Sequence, residues 1–156
     1  MKKSLAILMF IAFFSSAKGQ YFTNDYIETN IGVTQLYDEL NGTFPGASVL
    51  YGYKTFFDNN LVLDTQFGLA FPSALTGKIG IGYHDKSSNS IVTIGVRPWP
   101  AHAYGQIEFW DRQKRGSWTI SLEPSAYTLF GDNFEDASMY SEGLITVGYR
   151  FHWKQN

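Results

Sequence analysis

The sequence of 156 residues contains no cysteine. This excludes a disulfide framework, a lipid-modified cysteine, and any metal site or nucleophile that depends on a thiolate. Charged residues are also scarce, at 17% of the sequence, against about a quarter in typical proteins. The net charge of −2 gives no reason to expect nucleic acid or a strongly anionic macromolecule as a partner.

Long apolar runs are missing too, except at the N-terminus. There, two lysines precede the apolar run Leu5–Phe14, and small residues follow it. The run is shorter than the roughly 18 to 20 residues that a spanning helix needs, and the order of its parts is typical of a secretory signal peptide. We predict cleavage after Gly19, so that residues 1–19 are the signal peptide and residues 20–156 form one domain.

Aromatic residues are abundant, at 17% of the sequence, and they take part in a regular alternation. Successive side chains of a strand point to opposite faces, so alternating apolar and polar residues predict a strand with one apolar and one polar face. The alternation recurs eight times. The predicted strands are Tyr26–Tyr37, Ala47–Phe57, Leu61–Phe71, Thr76–His84, Ser90–Arg97, Ala103–Trp110, Ser117–Tyr127 and Tyr140–Trp153.

The predicted connections differ in length between the two ends of the sheet. Those after the second, fourth and sixth strands are short and polar, whereas Asp38–Gly46 and Thr128–Met139 are longer loops. An even strand count, short periplasmic turns and longer external loops are typical of outer-membrane barrels. We therefore predict an all-β fold, an eight-stranded antiparallel up-and-down transmembrane β-barrel with both termini in the periplasm.

Alternation alone does not decide which face points inward. A lipocalin-like carrier would have the same pattern with its apolar faces lining a cavity. Glycines favour the opposite arrangement, because the crowded interior of an eight-stranded barrel needs small residues beside large ones. The glycines on the polar faces are Gly32, Gly52, Gly68, Gly80, Gly82, Gly95 and Gly148.

Charges of both signs also fall on the polar faces, whereas the apolar faces of the predicted strands carry none. A basic residue on a lipid-facing surface would cost about 2–4 kcal/mol at mid-depth, and enclosed charges must be paired. We therefore expect the apolar faces to meet lipid and the charges to form an interior network. Its predicted members are Glu28, Lys54, Asp64, Lys78, Arg97, Glu108, Glu123, Glu142 and Arg150.

Tyrosine and tryptophan collect at membrane interfaces, and aromatic residues recur near the predicted periplasmic strand ends. They are Phe57, Tyr83, Phe109, Trp118, Tyr149, Phe151 and Trp153. By pattern, without a diagnostic motif, the mature chain resembles the small eight-stranded outer-membrane barrels of the OmpX and OmpA-transmembrane type. The final strand is similar to the aromatic C-terminal signal of such barrels, although Lys154–Asn156 follow it here. The resemblance implies a monomer in the outer membrane of a Gram-negative-type bacterium, with membrane lipid and the barrel-assembly machinery as partners.

Sequence motifs typical of catalytic or metal-binding sites are weak. The segment His84–Asn89 contains a histidine, an acid and serines, the residue types implied by a resemblance to lipid A palmitoyltransferases and deacylases, but we expect an ordinary polar turn. His102 is predicted to be a lone loop residue, and three scattered histidines do not make a metal site. We predict no catalytic residue, no metal and no cofactor.

Loops commonly carry the function of such scaffolds. The candidate binding residues of the last external loop are Phe130, Asp132, Phe134, Glu135 and Asp136. Our favoured interpretation is a non-enzymatic outer-membrane barrel with a plugged interior, acting through its external loops in surface interaction or membrane integrity. Two alternatives stay open: a soluble periplasmic lipocalin-like carrier of an apolar ligand, and a lipid-modifying outer-membrane enzyme.

Overall fold

A closed antiparallel barrel of eight strands is the fold of this chain in a computed structural model. The structure describes residues 21–36, 42–111, 116–131, 136–138 and 141–155. Each strand pairs with the next along the chain, and the first pairs with the last. The strands are β1 Tyr21–Leu36, β2 Gly42–Phe57, β3 Leu61–Phe71, β4 Ala74–Asp85, β5 Ser90–Arg97, β6 His102–Trp110, β7 Gly116–Pro124 and β8 Ser141–Gln155. The predictions of an all-β class and of a closed eight-stranded antiparallel barrel are confirmed.

The first hairpin is longer than predicted. β2 begins at Gly42, so Pro45 lies within a strand, opposite Val33 of β1, and not in a loop. Proline cannot donate to a ladder and is tolerated where a strand is paired on one side only. β3 ends at Phe71, opposite Ala47, so this part of β2 has β1 as its only ladder partner among the described strands. The predicted loop Asp38–Gly46 was therefore too long.

The prediction that the seventh strand continues to Tyr127 is wrong. β7 ends at Pro124, and Ser125 begins a short helix, α1 (Ala126–Phe130), by accepting a hydrogen bond from the backbone N–H of Thr128 on its hydroxyl. Serine is a favoured residue at this capping position. A single 3₁₀ turn, Asp136–Ser138, follows before β8. The segment Thr128–Met139, predicted as a longer polar loop, thus contains the end of α1 and the 3₁₀ turn.

The barrel has two distinct ends. One end, which we call the terminal end, holds the start of β1, the end of β8 and the connections after β2, β4 and β6. The connections after β1, β3, β5 and β7 lie at the other, the loop end. Of the helices formed by the described residues, none has the length and apolar character that a membrane crossing requires.

Most polar side chains of the strands point inward and most apolar ones outward, as predicted from the glycines and charges. The buried apolar exceptions include Leu50 and a cluster of Phe56, Val62 and Ile91. The inward Tyr26 and Tyr104 are buried. A Cβ atom at Gly52 would lie 2.1 Å from the Tyr26 ring, and one at Gly80 would lie 2.3 Å from the Tyr104 hydroxyl. These glycines therefore provide the space that two interior tyrosines occupy.

Large exposed apolar side chains cover the outside of the barrel, with Ile31 as much as 72% exposed. Every strand contributes, and we call this outer surface the apolar belt. Its members include Ile31, Val49, Phe67, Ile81, Ile94, Ile107, Ile120 and Val147. An acid of β1, Asp25, also faces outward. Asp25 belongs to β1 because that strand begins at Tyr21, five residues before its predicted start, and it lies close to the terminal end.

Candidate functional site

Five charged residues meet in the middle of the barrel, and we call them the central cluster: Glu28, Lys54, Asp64, Glu108 and Arg150. Register explains the meeting, since Glu28 is opposite Arg150 and Lys54 is opposite Asp64 on paired strands. Arg150 is 1% exposed and forms ion pairs with Glu28, with Asp64 at 3.0 Å and with Glu108 at 2.6 Å. Lys54 forms an ion pair with Glu108. Ionised groups in contact with one another thus occupy the barrel at this level.

Neutral side chains complete the central cluster. The Arg150 guanidinium lies 4.4 Å from the centre of the Tyr26 ring, and its Nη2 donates to Gln106 at 3.1 Å. The Tyr26 hydroxyl donates to Asp64, and the Ser117 hydroxyl donates to Glu108 at 2.6 Å. An eight-stranded barrel is just wide enough for its side chains to fill, and these contacts fill this one.

A second group of charges, the loop-end cluster, consists of Lys78, Arg97 and Glu123. Lys78 Nζ lies 2.6 Å from Glu123 Oε1, and Arg97 Nη2 lies 2.7 Å from Glu123 Oε2. Arg97 Nη1 also donates to Thr76 at 3.2 Å. The loop-end cluster has two cations and one carboxylate, a formal charge of +1, whereas the central cluster has two cations and three carboxylates, a formal charge of −1.

The ninth predicted member of the interior network, Glu142, is not inside. Its side chain is exposed, and its carbonyl accepts hydrogen bonds from the Ser125 N–H at 3.0 Å and the Thr128 hydroxyl at 2.7 Å. A register shift between β1 and β8 occurs at Leu36, which pairs with Ser141. The shift breaks the strict alternation on which the prediction depended.

A cavity of about 340 Å³ lies at the loop end, and we call it the loop-end pocket. Arg97, at 5% exposure, lines its polar part, and the Nε atom of Arg97 has no hydrogen-bond partner among the described residues. The polar lining also includes Asn30, Ser48, His102, Ser141 and Thr146. The apolar lining includes Leu36, Phe44, Ala70, Pro72 and Leu144.

His102 is the first residue of β6 and is buried, so its prediction as a loop residue is wrong. Its Nδ1 lies 3.0 Å from the Pro100 carbonyl oxygen, which can only accept, so Nδ1 carries the proton. Nε2 lies 3.2 Å from the Ser141 hydroxyl, which is 2.6 Å from the Thr34 hydroxyl. The alternation of β6 indicates this inward position, because His102 lies two residues before the inward Tyr104 and therefore on the same face of the strand.

The predicted binding residues of the last loop are only partly described. Phe130 is exposed at the end of α1, and Asp136 is exposed at the start of the 3₁₀ turn. Asp132, Phe134 and Glu135 lie outside the described residues. No group of side chains suited to a metal ion occurs in the part of the chain that the structure describes.

Asp85, the last residue of β4, stabilises the turn that follows by accepting hydrogen bonds. Asp85 accepts hydrogen bonds from the Ser88 hydroxyl at 2.7 Å, the Ser87 hydroxyl at 2.8 Å and the Ser87 N–H at 2.9 Å. The bonds from Ser88 and Ser87 lower the pKa of Asp85 from 3.8 to about 2. His84 Nε2 lies 3.4 Å from the Asn89 side-chain oxygen. Ser87 thus contacts the acid of this segment, and His84 contacts Asn89.

Family models were compared with the chain, and none matches. Searches of curated proteins and of solved structures also find no match. The apolar belt, the two charge clusters and the loop-end pocket are therefore the features from which function is inferred.

Proposed function

We propose that this chain is an integral β-barrel of the outer membrane of a Gram-negative-type bacterium, exported by the signal peptide of residues 1–19. The observation that carries the proposal is the apolar belt, to which all eight strands contribute. Soluble monomers rarely expose continuous apolar patches larger than a few hundred Å². A belt around a closed barrel is stable where its surroundings are hydrocarbon, because the closed sheet leaves no unpaired backbone edge.

The height of the apolar belt supports the same proposal. β3 has 11 residues, and its outward positions from Leu61 to Phe71 are apolar apart from Thr65. At about 3.4 Å per residue and a tilt of about 40°, such a strand rises about 26 Å, close to the roughly 25 Å apolar band of outer-membrane barrels.

Aromatic residues border the apolar belt at the terminal end. Trp118 and Tyr149 face each other across β7 and β8 with ring centres 5.0 Å apart, and Tyr149 is 4.7 Å from Phe151. Rings with a polar tip are favoured at the interface between hydrocarbon and headgroups. Asp25 lies at this end too, where a carboxylate can reach water.

The interior favours a plugged barrel over an open channel or a carrier of apolar ligands. The central cluster fills the barrel with ionised groups, and a lipocalin-like carrier needs an apolar cavity there. We infer that the protein is monomeric and non-enzymatic, contacts membrane lipid and the barrel-assembly machinery, and acts at its loop end in surface interaction or membrane integrity.

Fractionation combined with a boiling test addresses the proposal directly. We expect the protein in the detergent-extracted outer membrane, with an unboiled band that migrates faster in gel electrophoresis than the boiled band, because the closed barrel resists the detergent until heated. Recovery in the water-soluble fraction, with boiled and unboiled samples migrating alike, would contradict the proposal and favour a soluble carrier.

A further inference from the structure

The loop-end pocket has the size of a small ligand. A group the size of a water molecule takes roughly 30 Å³ in the liquid, so 340 Å³ holds about eleven such groups. This volume is at the lower limit of about 300 Å³ for ligand sites. A two-chain phospholipid is too large, whereas an eight-carbon chain with a small polar end has about ten heavy atoms.

The lining of the loop-end pocket is divided into two parts. Leu36, Phe44 and Leu144 form apolar walls near the ends of their strands, and these walls suit a hydrocarbon chain. Arg97 and Thr146 belong to the polar part of the lining. A ligand that matches both parts is therefore an amphiphile, with its polar end at Arg97 and its chain along the walls.

The charge at the polar part of the pocket selects the sign of that polar end. Glu123 is shared between Lys78 and Arg97, which leaves the loop-end cluster with one positive charge in excess. Arg97 Nη1 donates to Thr76 and Arg97 Nη2 forms an ion pair with Glu123, so the cation that lines the pocket has a carboxylate partner that it shares with Lys78. A hydrogen bond to a charged group contributes about 1.5–3 kcal/mol, so an anionic group in the pocket would be stabilised beside the Arg97 guanidinium.

From size, lining and charge we propose that the loop-end pocket binds a single-chain carboxylate of about eight carbons, whose carboxylate lies against the Arg97 guanidinium. The site goes beyond the function proposed above, since it assigns a ligand class to the barrel and requires only that the barrel be folded. No covalent step is involved.

Octanoate labelled with ¹³C at its carboxyl carbon is the probe. It is titrated into the barrel in lipid nanodiscs, and its carboxyl resonance is compared with that in empty nanodiscs. We expect a separate bound resonance that saturates at one equivalent, with octanol and octylammonium binding more weakly. The proposal is overturned if octanoate gives the same spectrum with and without the folded barrel, or if octylammonium competes as well as octanoate does.

Two variants test the two parts of the site. Arg97→Gln removes a charge-assisted bond of about 1.5–3 kcal/mol, which corresponds to an increase in Kd of about tenfold or more. Ala70→Phe fills the apolar part of the pocket and should abolish binding while Arg97 is intact. Gly105→Ala is the matched control, because a Cβ atom there has nothing within 4 Å.

The boiling test separates loss of folding from loss of binding. A variant that keeps its heat-shifted band is folded, and its octanoate affinity then reports on the site alone. If Arg97→Gln does not fold, Ala70→Phe decides the outcome: wild-type affinity in this variant would overturn the proposal. Loss of binding in folded Ala70→Phe, with wild-type affinity in Gly105→Ala, would support it.

Discussion

Replacing Arg150 by methionine should destabilise the barrel more than most single changes. Arg150 is the cation of the central cluster with the most partners, since it forms ion pairs with Glu28, Asp64 and Glu108. Methionine has a similar length and no charge. In Arg150→Met, three enclosed carboxylates keep Lys54 as the single cation of the central cluster. Each carboxylate loses its ion pair with Arg150, while Glu28 keeps a hydrogen bond from Gln66 and Glu108 keeps its contact with Lys54.

The expected magnitude follows from the burial of Arg150, which is 1% exposed. Breaking a buried ion pair by removing one partner costs about 3–5 kcal/mol, because it leaves an uncompensated charge. With a urea slope of about 2 kcal/mol per molar, the unfolding midpoint should fall by about 2 M. The assay is urea unfolding of the refolded barrel in lipid vesicles, followed by tryptophan fluorescence and by the boiling test.

Two further variants separate charge from packing. Arg150→Lys keeps the charge and loses the forked geometry of the guanidinium, so its stability should lie between wild type and Arg150→Met. Adding Glu28→Gln to Arg150→Met removes one unpaired carboxylate and should restore part of the stability, as a coupling energy between the two sites. An unchanged midpoint in Arg150→Met, or strictly additive effects in the double variant, would refute the ion-pair explanation.

Three other predictions concern packing, facing and titration. Gly52→Ala should lower the unfolding free energy by about 1–3 kcal/mol through overpacking, whereas Gly105→Ala should be neutral in the same urea assay; equal effects would contradict the interior packing. Val147→Arg should block membrane assembly, at a cost of about 2–4 kcal/mol in lipid, and Thr146→Arg should be better tolerated because it faces the loop-end pocket; equal losses of the heat-shifted band would contradict the facing. NMR titration of the Asp85 carboxyl should give a midpoint at about pH 2. Because the pKa of Asp85 is lowered in the folded protein, its hydrogen bonds stabilise the fold fully above pH 3.8, the unperturbed pKa, and this stabilisation is lost as the pH falls through about 2.

The strands could be predicted from the sequence because the alternation that identifies a strand lies within the strand itself. A period of two in residues such as those of β3 and β5 identifies a strand without knowledge of its partners, and both strands have the predicted bounds. The start of β2 was missed because Pro45 is a turn residue in isolation, and only the pairing with β1 keeps it extended. α1 was missed because a five-residue helix is too short to show a helical period.

The interior network was predictable for the same reason, since alternation assigns a charged residue to a face before its partners are known. The prediction was wrong for Glu142, because a register shift between β1 and β8 changes the face on which this residue lies. The loop-end pocket could not be found in this way. The contact between His102 and Ser141 joins residues 39 positions apart, and it exists because the strands close into a barrel.

Side-chain size along the barrel axis explains why the pocket lies where it does. At mid-height, the inward positions carry Tyr26, Tyr104 and Arg150, which fill the narrow interior. Toward the loop end, inward positions of β2 and β3 carry Ser48 and Ala70, which leave space. Because the interior width of an eight-stranded barrel is fixed by its strand number, exchanging large for small residues at one end opens a cavity there without widening the barrel. A filled centre and an open loop end therefore follow from the same alternation, and a ligand would enter from the side of the longer loops.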